Sequence, residues 1–152
     1  MPAYLGTADG PSYRPVGVCA ILAVMEQRTH EQIARHLCGE PIELGPGHAR
    51  VALETTSEMA ADDRGLVHGG FTFGLADYAA MLAVNEPTVV LASAQTKFIG
   101  PVVVGERVEA EATVDRTDGR KRWVKVVVRR AGAPVFEGEF FTVVLAKHIL
   151  DA

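Results

Sequence analysis

Between Gly65 and Pro87 the chain reads GLVHGGFTFGLADYAAMLAVNEP. Two glycines after His68 open a run that stays apolar as far as Asn85, and Pro87 closes it. The spacing predicts a helix over 70–85, with Phe71, Phe73, Leu75, Met81, Leu82, Val84 and several alanines spread nearly all round it. A helix of that kind is wrapped on every side. Asp77 is the single charged residue between Gly69 and Asn85, and an unpaired carboxylate in apolar surroundings is costly or takes up a proton. Either a cation from elsewhere pairs with it, or it lies at a solvated rim, or reaction chemistry keeps an acid at an enclosed interface.

The flanking sequence supplies the wrapping. Downstream, Val108, Ala110, Ala112 and Val114 alternate with Arg107, Glu109, Glu111 and Thr113. An Asp-Gly turn follows in "TDGR", and then Val124, Val126 and Val128 alternate with Trp123, Lys125 and Val127. "VFEGEFFTVVLA" after "AGAP", and "TVVLASAQTKF" before Gly100-Pro101, are two further runs of strand formers. Upstream, Arg50 to Thr56 alternates Val51, Leu53 and Thr55 against Ala52 and Glu54, and "ELGPGH" before it reads as a turn. The expected order is a strand, one long helix, then about four strands joined by tight turns. That is an α+β fold with an antiparallel sheet rather than alternating βαβ units. One curved sheet covers only one side of the helix, so a second subunit is expected to cover the rest.

The first fifteen residues, broken by Pro2, Gly6, Gly10, Pro11 and Pro15, are expected to form a loose arm. In "THEQIARHLCGE", Thr29 and Gln32 suit a capping box, Ile33 and Leu37 share a face, and Gly39 stops a short helix. The chain therefore divides into residues 1–40, an arm with a short helix, and residues 41–152, the folded domain.

Composition narrows the function classes. The chain has 152 residues, 48% hydrophobic and 22% charged, which fits one globular domain. A net charge of −4 without a long basic run argues against a nucleic-acid partner. Cys19 and Cys38 are far apart and form no CxxC, so both are expected to be free thiols in a reducing cytoplasm. "VGVCAILAVM", from Val16 to Met25, is too short to span a bilayer and lacks the flanks of a signal peptide, so no membrane partner is expected. His30, His36, His48 and His148 lack ligand-like spacing, so no metal site is expected either.

Gly69 and Gly70 offer backbone N–H groups at a helix N-terminus with no side chain in the way, which suits a developing oxyanion as well as a plain tight turn. Eight residues of helix from Gly69 to Asp77 span about 12 Å, too far for both to flank one carbonyl carbon within a chain. If the two cooperate, Gly69 of one subunit faces Asp77 of its neighbour.

"VHGGFTFGLADYAAMLAVN", followed by "SAQTKFIGPVVVGERVEAEATV", resembles the hotdog-fold acyl-CoA thioesterases of the phenylacetate-degradation (PaaI-like) type, over about Arg50 to Ala146. The shared features are His-Gly-Gly, a Phe-rich turn, Leu-Ala-Asp on the helix and a later Phe-x-x-Pro-Val. The resemblance implies a hotdog fold, one long central helix wrapped by a curved antiparallel sheet of about five to six strands. It also implies a homodimer with two shared sites, and often a homotetramer. The implied reaction is hydrolysis of an acyl-CoA to free acid and coenzyme A, with no cofactor beyond the coenzyme A of the substrate. The family's catalytic acid falls on Asp77, as nucleophile or general base, its oxyanion donor on the Gly69 N–H, and its active-site histidine on His68. For substrate binding we single out Gly70, Phe71, Phe73 and Met59 near the acyl group, and Arg120, Lys121 and Arg122 for the coenzyme A phosphates.

Three departures stand out: a longer N-terminal arm, "ADDRG" where relatives often place an Asn, and pocket residues diagnostic of no acyl group. Two rival readings follow. Asp63 and His68 have the Asp-x4-His spacing of a hotdog enoyl-CoA hydratase, but His68 opens the helix and no Asn-Pro lies between them. A non-catalytic acyl-CoA-binding sensor on the same fold would gain nothing from Asp77.

Overall fold

A computed structural model describes residues 25–151. The loose arm, most of the Val16–Met25 run and Cys19 lie outside the described residues. The alternating segments form the expected strands: β1 (Glu40–Gly45), β2 (His48–Glu54), β3 (Val89–Phe98), β4 (Arg107–Asp118), β5 (Lys121–Arg130) and β6 (Ala133–Val144). They make one antiparallel sheet in the order β1-β2-β4-β5-β6-β3. Its two edges, β1 and β3, do not pair, so the sheet curves without closing. The Asp-Gly hairpin turns as its sequence dictates: Asp118 pairs with Lys121, and Gly119 takes the left-handed conformation, φ 55°.

The apolar run becomes the long helix, Gly69–Val84, lying on the inner face of the sheet. Ala76, Ala79, Ala80 and Ala83 are fully or almost fully buried, and so are Ala49, Ala110 and Ala112 on the strands beneath. These small residues let helix and sheet approach closely, while Val51, Val108, Val124, Val126, Val128, Phe136 and Phe140 fill the flanks. Asn85 ends the helix in a left-handed conformation, φ 51°, with its N–H on the Met81 carbonyl. This is the hotdog arrangement.

Three expectations are corrected. First, Glu43–Gly45, expected to begin the turn of "ELGPGH", belong instead to strand β1. Pro41 sits in it, which an edge strand with a bulge tolerates, and the register does shift between Pro41 and Glu43. Two strands, not one, therefore precede the long helix, and β2 starts at His48 rather than Arg50. Second, the capped helix from Thr29 shrinks to one turn, Arg35–Cys38. His30 is left-handed, φ 54°, which interrupts any helix there, and Thr29 Oγ1 lies 2.8 Å from His30 Nδ1 rather than capping. Gly39 does end the turn, as expected.

Third, part of the cover assigned to a second subunit comes from the chain itself. Residues 25–38 lie over the C-terminal half of the helix. The Asn85 side chain ties them down, accepting from the Arg28 N–H at 2.8 Å and donating to the Glu26 carbonyl at 2.9 Å. Gln27 donates to the Tyr78 hydroxyl at 3.2 Å, and the His30 ring packs on Tyr78. What stays open on the helix is Gly70, with Phe71, Phe73, Gly74, Asp77 and Val84 half-buried.

Gly39 joins this segment to the sheet with φ 114°, and an added Cβ would come within 2.6 Å of Val51 Cγ1 and 2.8 Å of Leu75 Cδ1. Backbone strain and overpacking would then act together. Gly39→Ala is expected to lower unfolding stability by about 2 kcal/mol or more. A denaturant titration checks this, and an unchanged midpoint would contradict the tight fit of this joint.

Candidate active site

Asp77 projects from the middle of the long helix at the end of the cover formed by residues 25–38. Its Oδ1 is buried and has no hydrogen-bond partner among the described residues. None of the ion pairs among those residues involves it. Burial pushes its pKa up to about 6. Its neighbour in space is Cys38, whose thiol is pushed up by burial and, secondarily, by the nearby Asp77 charge. The described residues thus leave this acid without a cation, poised to change charge near neutral pH.

Gly69 is the first residue of the helix, and His68 precedes it in an extended conformation with no side-chain cap. Among the described residues neither the Gly69 nor the Gly70 N–H has an acceptor, while the Phe71 N–H turns back to the His68 carbonyl at 3.0 Å. Two donors at the positive end of a helix dipole are therefore free. Both glycines sit close to a neighbouring ring, which a side chain at either position would have to displace. A Cβ at Gly69 would fall 2.9 Å from Phe98 Cε1, and one at Gly70 would fall 3.0 Å from the His68 ring.

His68 is exposed, stands edge-on to Phe71, and its N–H binds the Met59 carbonyl at 2.9 Å. Met59 is fully buried in the core beneath it. Phe73 is half-buried against Phe136 and Phe140, 5.5 Å from the latter ring. His68, Gly69, Gly70 and Phe71 therefore gather at one end of the helix. Asp77 stands about 12 Å along it.

Arg120, Lys121 and Arg122 are not brought to this end within the chain. The Val144 N–H binds the Arg120 carbonyl, whereas Phe98, beside Gly69, pairs with Phe136. The two levels are eight residues apart on β6, about 26 Å. Asp63 is exposed and makes no hydrogen bond or ion pair with His68 among the described residues. Sequence reasoning missed Phe98 and Cys38 as neighbours of the site. Phe98 had a signal, as the first residue of the Phe-x-x-Pro-Val shared with the PaaI-like type, but that pattern does not place it beside Gly69.

Comparison with known proteins agrees with the geometry. Residues 64–137 match the family model of the thioesterase superfamily. The crystal structure of an uncharacterised protein from Pyrococcus horikoshii is 55% identical, with a TM-score of 0.83, covering 84% of this chain and 98% of that one. The chain belongs to the hotdog-fold thioesterase superfamily. Within it the chain is PaaI-like: the phenylacetic acid degradation protein PaaI from Thermus thermophilus is 33% identical, with a TM-score of 0.67, over 72% of this chain and 95% of that one.

Among curated proteins, a methylthioribose-1-phosphate isomerase from Aquifex aeolicus is 51% identical over 121 residues, 80% of this chain but 26% of that protein. The transcription factor FapR from Caldanaerobacter subterraneus is 29% identical over 119 residues, 78% of this chain and 60% of FapR. The chain thus spans about a quarter and about three fifths of these two relatives.

The buried acid has a stability consequence. A carboxyl whose folded pKa exceeds its unfolded value, 3.8, opposes folding once it ionises. Asp77→Asn is therefore expected to be more stable than the wild type by about 1–3 kcal/mol at pH 8. The difference should shrink as pH falls through about 6 and vanish below about 3.8. Denaturant titrations of both proteins across this range check it. A variant no more stable at pH 8 would mean that the ionised acid has a partner.

Proposed function

We propose that this protein is an acyl-CoA thioesterase, hydrolysing the thioester to free acid and coenzyme A. The observation that carries the reading is Asp77, a half-buried acid on the central helix of a PaaI-like hotdog protein, whose Oδ1 is enclosed without a hydrogen-bond partner among the described residues. Asp77 acts as nucleophile on the carbonyl carbon or as general base for a water, and the Gly69 N–H with the helix dipole steadies the oxyanion. His68 and Gly70 shape the donor loop, and Phe71 and Phe73 border the acyl group, with Met59 supporting them from the core. No cofactor is required, since coenzyme A arrives with the substrate. Among the described residues no helix is long and apolar enough to cross a membrane, compatible with the cytoplasmic site we propose.

The two groups meet across a homodimer. Among the described residues edge strand β3 has one neighbour, β6, so its outer backbone groups are open to pairing. Two copies joined antiparallel along β3 would set the Phe98 end of one beside the Val89 end of the other. That arrangement carries the partner's Arg120–Arg122 turn toward Gly69, where it could meet the substrate phosphates. Two such dimers would make the tetramer.

Thiol release from a panel of short, long and aromatic acyl-CoAs tests the reading. With folding and oligomer size unchanged, Asp77→Asn is expected to lose activity by about two or more orders of magnitude. On the active member, kcat/KM should rise with pH to a plateau with a midpoint near 6. A second reading, an acyl-CoA-binding sensor, is favoured by the FapR relatives, which carry the name of a transcription factor. Tight binding of an acyl-CoA that the wild type never hydrolyses would replace the first reading with the second.

A further inference from the structure

Phe98 is 59% exposed, an unusual setting for a phenylalanine, yet its ring packs on the core. It makes a T-shaped pair with the fully buried Phe136 at 5.1 Å and lies beside Gly69. It does not stand alone. Segments 65–67 and 98–104 run side by side through the Leu66–Val103 bridge and the hydrogen bonds from Val67 N–H to the Val102 carbonyl and from Val104 N–H to the Gly65 carbonyl. Leu66, Ile99 and Val103 are 40%, 50% and 44% exposed on these segments. Half of the eight exposed large hydrophobics among the described residues thus cluster where the helix begins.

Resting on the reading of Gly69 as the oxyanion donor, we propose that Phe98 is a specificity-determining residue of that site, receiving with Leu66, Ile99 and Val103 the apolar acyl group of the thioester. A carbonyl oxygen held by the Gly69 N–H leaves two substituents on its carbon, the acyl chain and the sulfur, and the Phe98 ring beside Gly69 is placed to border one of them. The sulfur leads to a pantetheine arm with two amides, each needing hydrogen-bond partners when enclosed. Leu66, Phe98, Ile99 and Val103 offer no polar side chain. They suit a hydrocarbon or aryl group, and pocket discrimination of such groups amounts to about 10–200-fold per methylene-sized change.

The test compares the wild type with Phe98→Ala and Phe98→Leu on acetyl-, hexanoyl-, decanoyl- and phenylacetyl-CoA, reading kcat/KM for each. The expected result is a changed ranking: Phe98→Ala loses at least tenfold on the best wild-type substrate relative to acetyl-CoA, and Phe98→Leu recovers part of the difference on the straight chains. An equal loss on all four substrates would place the pantetheine arm on the ring and overturn the proposal. A loss that tracks dissociation of the oligomer, measured by light scattering on the same samples, would assign Phe98 to the subunit interface and also overturn it. Should the wild type hydrolyse none of the four, the thioesterase reading itself fails. An active wild type with an unaltered ranking in both variants fails this inference alone.

Discussion

An alanine-rich helix that is apolar all round has to be enclosed on all sides, and the rest of this fold follows from that requirement. Six strands curve around one side of Gly69–Val84, and the alanines on both surfaces bring helix and sheet into close contact. The opposite side is shared between the chain's own residues 25–38, anchored at Asn85 and Tyr78, and an open strip containing Gly70, Gly74 and Asp77. The segment that closes over the helix stops beside Asp77. Cys38 then leads through the tightly packed Gly39 into β1, so enclosure of the core and placement of the acid are one piece of construction.

Within that enclosure Asp77 is the local contradiction. Every other demand on the helix is for apolar burial, and its Oδ1 meets no donor among the described residues. A group that opposes folding at neutral pH and persists in the middle of the core helix points to chemistry rather than architecture. In the proposed reaction the other half is the mouth of the same helix, where two glycines leave N–H groups without an acceptor among the described residues and Phe98 stands beside them. The helix length separates the two halves, which is why the proposal assigns them to different subunits.

Much of this was legible in the sequence, for identifiable reasons. The helix stood out because Gly69-Gly70 and Pro87 bracket an unbroken apolar run, and the hairpin because Asp118-Gly119 divides two clean alternations. Asp77 and Gly69 were visible because a lone charge and a glycine pair are conspicuous against such a background. Strand β1 was obscured because its second half, Glu43 to Gly45, runs into Pro46-Gly47 and reads with them as a turn, and because Pro41 is a poor strand residue except at an edge. Residues 29–34 carry a helix-like pattern, but the conformation of the segment they belong to is set by contacts some fifty residues away, at Tyr78 and Asn85, which local pattern cannot show. Phe98 was hidden because its distinction is exposure, and exposure of a strand residue depends on which edge the strand occupies.

The central claim is a site built from Asp77 of one protomer and the Gly69 N–H of another, and subunit mixing tests it most directly. Gly69→Pro removes the N–H alone, since proline is accepted at the first position of a helix and His68 is already extended, while the exposed Phe98 ring can yield to the added atoms. Each of Gly69→Pro and Asp77→Asn is inactive by itself on this account. Mixed dimers of the two, formed by co-expression and purified through separate tags, would contain one site with both groups intact and should recover about half of the wild-type thiol release per dimer. Mixed dimers as inactive as either parent would contradict a site shared between subunits.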